Sequence, residues 1–226
     1  MGQQKSPSRA PRGRRARSAE AKLARRAKVI EAAIAFLDTA DLDTITVDRI
    51  ATQSGIAKGT VYLYFRTKEE LFLAALERLL EDWLDEVDSS LAGGQGWVQA
   101  AGLAELFTES LARRPLLRRL LAQLGPVLER NLDPDRALRF KWRVAGRLTT
   151  TGALLERRTV FLRPGDGTRL LLQTQALAMG LQPMAEPAPV IDTVLDAPGL
   201  EVLRVEFDRE FRSAIRALLT GLERTN

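Results

Sequence analysis

The chain of 226 residues contains no cysteine and no histidine. The first absence excludes a disulfide framework and a thiolate metal site. The second removes the commonest general base and the commonest metal ligand. No paired-carboxylate or glycine-rich phosphate motif replaces them, so the sequence predicts neither catalytic residues, nor a bound metal, nor a cofactor. No apolar run approaches the ~18–20 residues needed to span a bilayer. The N-terminus has no hydrophobic stretch of the secretory kind. The expectation is a soluble cytoplasmic protein, not an enzyme and not a membrane partner. Tyrosine is also scarce: the chain has two, Tyr62 and Tyr64.

What is present is charge, unevenly spread. Residues 1–28 hold ten Lys/Arg against Glu20 alone, while the remainder has a net charge of −4. Residues 1–17 are rich in Pro, Ser, Gly and Gln and have almost no large apolar side chain. Such a segment cannot bury enough surface to fold alone. It reads as a disordered basic arm that follows DNA phosphates or enters the minor groove. The plainer alternative is a solubilising tail.

The two tyrosines lie in the most telling stretch, Thr44 to Leu71. Thr46 is an N-cap candidate, with Asp48 in the first turn of the helix it opens. Val47, Ile50 and Ala51 form one apolar face. Gly55 falls where the chain leaves that helix, a place that favours positive φ. A second helix then runs from about Ala57 through Tyr64, with Val61 and Phe65 facing inward. This is the layout of a helix-turn-helix. Lys58, Gly59, Thr60, Tyr62 and Tyr64 are small, polar or hydroxyl-bearing, as a surface meeting bases and phosphates requires. Lys68 opens the next helix, where its ammonium and unpaired N–H groups suit a phosphate. The predicted DNA-contacting set is Thr46, Lys58, Gly59, Thr60, Tyr62, Tyr64 and Lys68. A helical hairpin with surface tyrosines is the structural alternative.

The run GIAKGTVYLYFRTKEELF resembles the TetR family of bacterial transcription regulators. The similarity extends over roughly residues 27–80. It departs from the family pattern at Ala57, where serine is common, and at Leu63, where histidine is common. Both are candidate DNA-facing positions, so the operator sequence is not transferable. The resemblance implies a three-helix DNA-binding domain, here assigned to residues 18–66. Its first helix starts near Ser18 and packs through Leu23, Ala27, Ile30, Ile34 and Leu37, with Phe36 beside them.

Residues 67–226 read as a larger helical regulatory and dimerisation domain, which makes the whole an all-α protein. Thr67 and Glu70 form a capping box for a long helix ending before Gly93-Gly94. Further helices are expected at about 98–112, from Pro115 with a disturbance at Gly125-Pro126, from Asp133-Pro134 to about Thr159, and from Thr168 to about Leu181. A proline-marked loop at Pro183, Pro187 and Pro189 follows. The last helix is expected from about Gly199 to Leu222.

Trp83, Phe107, Phe140, Trp142, Gln173, Gln175 and Met179 on the middle helices are candidates for a mostly apolar ligand pocket. Plain core packing is the alternative for each. The last two long helices carry more apolar surface than one body covers, which suggests a subunit interface. The family resemblance implies the same pairing into a four-helix bundle. The candidate interface comprises Leu171, Leu177, Leu203, Phe207, Phe211, Ile215 and Leu218. The functional expectation is a homodimeric regulator, most simply a repressor, binding a palindromic double-stranded DNA operator and released by a small-molecule effector. Two alternatives stay open: a helix-turn-helix protein without an effector, and a helical enzyme or protein-interaction module.

Overall fold

The computed structural model describes residues 12–38, 45–94, 96–128 and 132–225. Every regular element among them is helical. The chain divides into two compact units, one reaching to Thr67 and the other beginning at Lys68.

The first unit contains α1 (Arg12–Leu37), α2 (Val47–Ser54) and α3 (Lys58–Tyr64). Its core is Val29, Ile30, Ala33 and Leu37 from α1, Ile45, Val47, Ile50 and Ala51 at α2, and Val61 with Phe65 at α3. The α1 stripe therefore differs from the expected one. Leu23 is 67% exposed and Ala27 is also exposed, because only the C-terminal part of α1 meets α2. The helix also starts at Arg12, ahead of the expected Ser18 N-cap. Residues 12–17 thus belong to α1, and the rest of the expected arm lies outside the described residues. Two guanidinium groups cover aromatic faces at the edge of this core. Arg26 lies 5.0 Å from the Phe65 ring centre and Arg49 lies 5.5 Å from that of Phe36.

The second unit contains α4 (Lys68–Gly93), α5 (Ala100–Ala112), α6 (Pro115–Ala122), α7 (Pro134–Arg158), α8 (Asp166–Ala185), α9 (Pro189–Val194) and α10 (Phe207–Thr225). A π-helical turn at Leu124–Leu128 stands where Gly125-Pro126 predicted a disturbance. Asp133 caps α7 as expected: its carboxylate accepts from the N–H groups of Asp135 and Arg136, with Pro134 in the first turn. α7 and α8 touch backbone to backbone. A Cβ on Gly167 would stand 2.1 Å from the Gly152 carbonyl oxygen, so both positions require glycine for lack of room. Glu156 of α7 accepts from the N–H groups of Gly165 and Gly167, which satisfies two orphan donors at the start of α8.

Charged pairs fasten α7 to α4. Arg147 reaches Asp88 at 2.7 Å and Asp85 at 2.5 Å. Glu77 is buried and faces Arg136 at 3.2 Å and Arg143 at 3.4 Å. These guanidinium groups offset the cost of taking the carboxylate out of water.

The C-terminal elements depart most from expectation. α8 continues through Pro183 to Ala185. Pro183 lacks the N–H that the Met179 carbonyl would receive, yet Ala178 and Gln182 are buried in the turn leading up to it, and this packing holds the helix to that point. The expected single helix from Gly199 is broken. A 3-10 turn at Glu201–Leu203 is followed by extended chain, and α10 starts only at Phe207. The Arg204 guanidinium donates to Asp192 at 3.0 Å and Asp196 at 2.5 Å, and these contacts to the preceding turn outweigh local helical periodicity.

Candidate nucleic-acid interface and ligand cavity

The α2–α3 pair is built as its sequence dictates. Thr46 is extended, and its hydroxyl accepts from the Arg49 N–H at 3.2 Å. Gly55 ends α2 at φ 65°, with its own N–H bonded back into the helix. Only glycine adopts that conformation without strain. Ile56 donates to the Ala51 carbonyl, which turns the chain into α3. Val61 and Phe65 anchor α3 inward.

That anchoring leaves the other face of α3 outward. Lys58 and Gly59 are exposed, Tyr62 is 42% exposed and Leu63 is 72% exposed. Thr60 and Tyr64 are half-buried at its edges. No Cβ placed on Gly59 would meet a neighbour within 4 Å, so an approaching backbone has free access there. Lys58 lies 5.8 Å from the Tyr62 ring centre and makes a 2.5 Å ion pair with Asp48 of α2. That hydrogen bond holds the Lys58 pKa above the ordinary 10.5. The sequence reading assigned Asp48 to the helix dipole and missed this pairing. Thr46 is exposed and committed to its cap. Lys68 is the first residue of α4 and belongs to the second unit.

The second unit holds an apolar cavity of about 340 Å³. Leu76 and Leu80 of α4, Leu121 and Leu124 around the π turn, Phe140, Val144 and Leu148 of α7, and Leu172 of α8 form its walls. Lys141, Thr149, Thr168 and Gln175 supply the polar groups. The Gln175 amide donates to the Met179 sulfur, at 3.7 Å, a weak acceptor. Of the residues expected here, Phe140 and Gln175 line the cavity and Met179 abuts it through Gln175. Trp83 and Phe107 are core instead. Their rings lie 6.2 Å apart, and the Trp83 indole N–H donates to Ser110 at 2.9 Å. Trp142 is 72% exposed, because α7 buries Phe140 and Leu148 and turns Trp142 away. Gln173 lines a separate groove on the outer side of α8. Leu76 and Leu80 read from the sequence as part of an apolar stripe on α4 and not as cavity wall, and for Leu121 and Leu124 the Gly125-Pro126 disturbance is the available signal.

The expected interface residues also divide. Phe207, Phe211 and Ile215 are buried within one chain, where α10 packs on α5, and Leu171 is fully buried in α8. These are core residues, so they are not a free surface. Leu203 lies on the 3-10 turn and is exposed, off the α10 stripe. Leu177 and Leu218 face an open groove with Gln173, Ala176 and Ala214. Both leucines are half-buried and lie one helix face around from the predicted stripe.

Residues 21–75 match the family model described as "Bacterial regulatory proteins, tetR family", and residues 77–226 match that described as "Tetracyclin repressor-like, C-terminal domain". The chain belongs to the tetR family. Among curated members, the uncharacterized HTH-type transcriptional regulator YvdT of Bacillus subtilis is 37% identical over 68 residues, 30% of this chain and 35% of that protein. The HTH-type transcriptional repressor KstR of Mycolicibacterium smegmatis is 28% identical over 99 residues, 43% of this chain and 48% of that protein. The chain thus spans a third to a half of the length of the curated relatives it matches. A crystal structure of a possible TetR family transcriptional regulator from Streptomyces coelicolor superposes with a TM-score of 0.51 at 26% identity, covering 89% of this chain and all of that one. The N-terminal match includes α2 and α3 and runs into the first turns of α4, and the C-terminal match covers the rest of α4 and everything after it. No helix among the described residues is long and apolar enough to cross a membrane.

Proposed function

We propose that the chain is a DNA-binding transcription regulator that recognises a palindromic operator as a homodimer and represses until a mostly apolar small molecule occupies the second unit. The observation that carries the DNA reading is the outward face of α3, with exposed Lys58, Gly59 and Tyr62 held on a helix fixed by Gly55 and Val61. Thr60, Tyr64 and Lys68 complete the contact set, with Lys68 acting from the start of α4. Thr46 contributes by capping the helix that braces α3.

Dimerisation is assigned to the outer faces of α8 and α10, around Leu177, Ala214 and Leu218. Two identical heads on a two-fold axis suit a palindrome. The name of the mycobacterial relative, a transcriptional repressor, supports repression as the output. The effector reading rests on the cavity, whose walls are mostly apolar with a few polar groups, as small-molecule sites are built. Leu76 and Leu80 carry ligand contact into α4, which begins directly after Thr67. An effector acts only if it prefers the conformation that fits DNA poorly.

The test is selection of random duplexes by the full chain, followed by release with candidate apolar ligands. An enriched inverted repeat, lost with Lys58→Ala, is the expected outcome. No enrichment of any sequence overturns the reading.

A further inference from the structure

α9 buries none of its residues. Val190, Ile191 and Val194 are 69%, 48% and 51% exposed, and Val202 on the following 3-10 turn is 85% exposed. Yet the segment is ordered by its own contacts. Arg204 binds Asp192 and Asp196, and the Gly199 N–H donates to Glu201. A folded segment that shows valines and an isoleucine to water is shaped for a second surface.

The same unit offers such a surface at its opposite end. α8 and α10 run antiparallel, so the start of α8 lies beside the end of α10. Between them is an open groove of about 660 Å³, formed by Arg163, Arg169, Ala217, Leu218 and Gly221 with neighbouring residues. α8 has 20 residues, so roughly 30 Å separates this groove from the α9 segment in one chain. One copy cannot bring the two together.

A two-fold axis can. If α8 and α10 pair with those of a twin about an axis through their middle, each end of one pair meets the opposite end of the other. The charges agree with that match. Residues 186–206 carry Glu186, Asp192, Asp196, Glu201 and Glu206 against Arg204 alone, whereas the groove presents two arginines beside Asp166. We infer that residues 189–203 form an exchanged arm that seats Val190, Ile191, Val194 and Val202 in the Arg163–Gly221 groove of the second copy. This rests on the proposed pairing of α8 and α10. It adds a second, reciprocal contact at each end of that interface.

The absence of native cysteine makes the test clean. In the full chain, Val190, Ile191, Val194 and Val202 are each changed to Cys in combination with Gly221→Cys. Sedimentation mass and mild oxidation are then read. Intrachain closure is barred by the distance, since a disulfide needs Cα atoms within about 7 Å. At least one combination should give a covalent dimer, while the corresponding single arm variants should not. Val190→Lys with Val202→Lys, both exposed positions, should raise the dimer dissociation constant at least tenfold with unchanged helicity. A wild-type dimer that yields no cross-link in any combination and no change in dissociation constant overturns the arm and leaves the α8–α10 pairing standing. A monomeric wild type at micromolar concentration overturns both.

Discussion

Lys58 is bound to a carboxylate of its own protein before any DNA arrives. A phosphate must displace Asp48, and the pair is exposed enough for that exchange to be easy. Asp48→Asn should therefore strengthen nonspecific duplex binding several-fold, read by fluorescence anisotropy at fixed salt. Lys58→Ala should weaken binding and lower the log–log salt slope by about one unit. Thr46→Ala should cost about 1 kcal/mol of stability in urea titration, and Thr46→Ser should recover most of it, since the hydroxyl is the cap. At this scale the sequence was informative for Thr46 and Gly55, whose roles are local. It was silent on the Asp48–Lys58 pair, which exists only once the turn has folded α2 against α3. Glu86 shows the same dependence on the fold. Burial alone would raise its pKa, but Arg114 and Arg113 donate to it and hold it below the ordinary 4.5. A depressed carboxyl stabilises the fold above its unfolded-state pKa, and that contribution disappears as the pH falls through the folded value. Acid unfolding at and below about pH 4.5 should be less steep in Glu86→Gln, with the two proteins converging at lower pH.

Among the elements, α2, α3, α4 and the cap of α7 follow from local signals: a cap, a glycine turn, a periodic stripe, an Asp-Pro start. The elements that escaped are those set by distant contacts. α8 reaches Pro183 with Gln182 buried immediately before it, and α10 starts late because Arg204 is held by Asp192 and Asp196. Of the cavity, Phe140 and Gln175 were readable. Leu76, Leu80, Leu121 and Leu124 were not, because nothing in a leucine-rich helix distinguishes a wall from a core. The Gly152–Gly167 contact gives a prediction at this scale. Gly167→Ala puts a methyl group into the Gly152 carbonyl and forces α7 and α8 apart. Overpacking of this kind costs about 1–3 kcal/mol. The thermal midpoint should drop by several degrees in calorimetry, whereas the control Gly180→Ala, where no atom lies within 4 Å, should hold or raise it, since Ala is the better helix former.

For the whole molecule, the α10 stripe teaches that amphipathicity does not name the partner. The periodicity of Phe207, Phe211 and Ile215 was evident in the sequence, but the surface it covers is α5 of the same chain. Charging those phenylalanines would unfold the second unit. Ala214→Arg is the informative change, because Ala214 faces the open groove beside Leu177 and Leu218. It should give a folded monomer by sedimentation, with affinity for a palindrome reduced toward that of a half-site. The close approach of Gly152 and Gly167 also gives the second unit a mechanical character. It is a candidate fulcrum: α7 and α8 meet there near their connecting turn, and both line the cavity. Gln175 lies eight residues along α8 from Gly167, and Ala185 lies eighteen. If α8 swings as a rigid rod, a gap opened by a ligand at Gln175 is roughly doubled at Ala185, since rise is uniform along a helix. Under the proposed function, the girth of an effector in the cavity would be read out, magnified, at the end of α8 that carries α9.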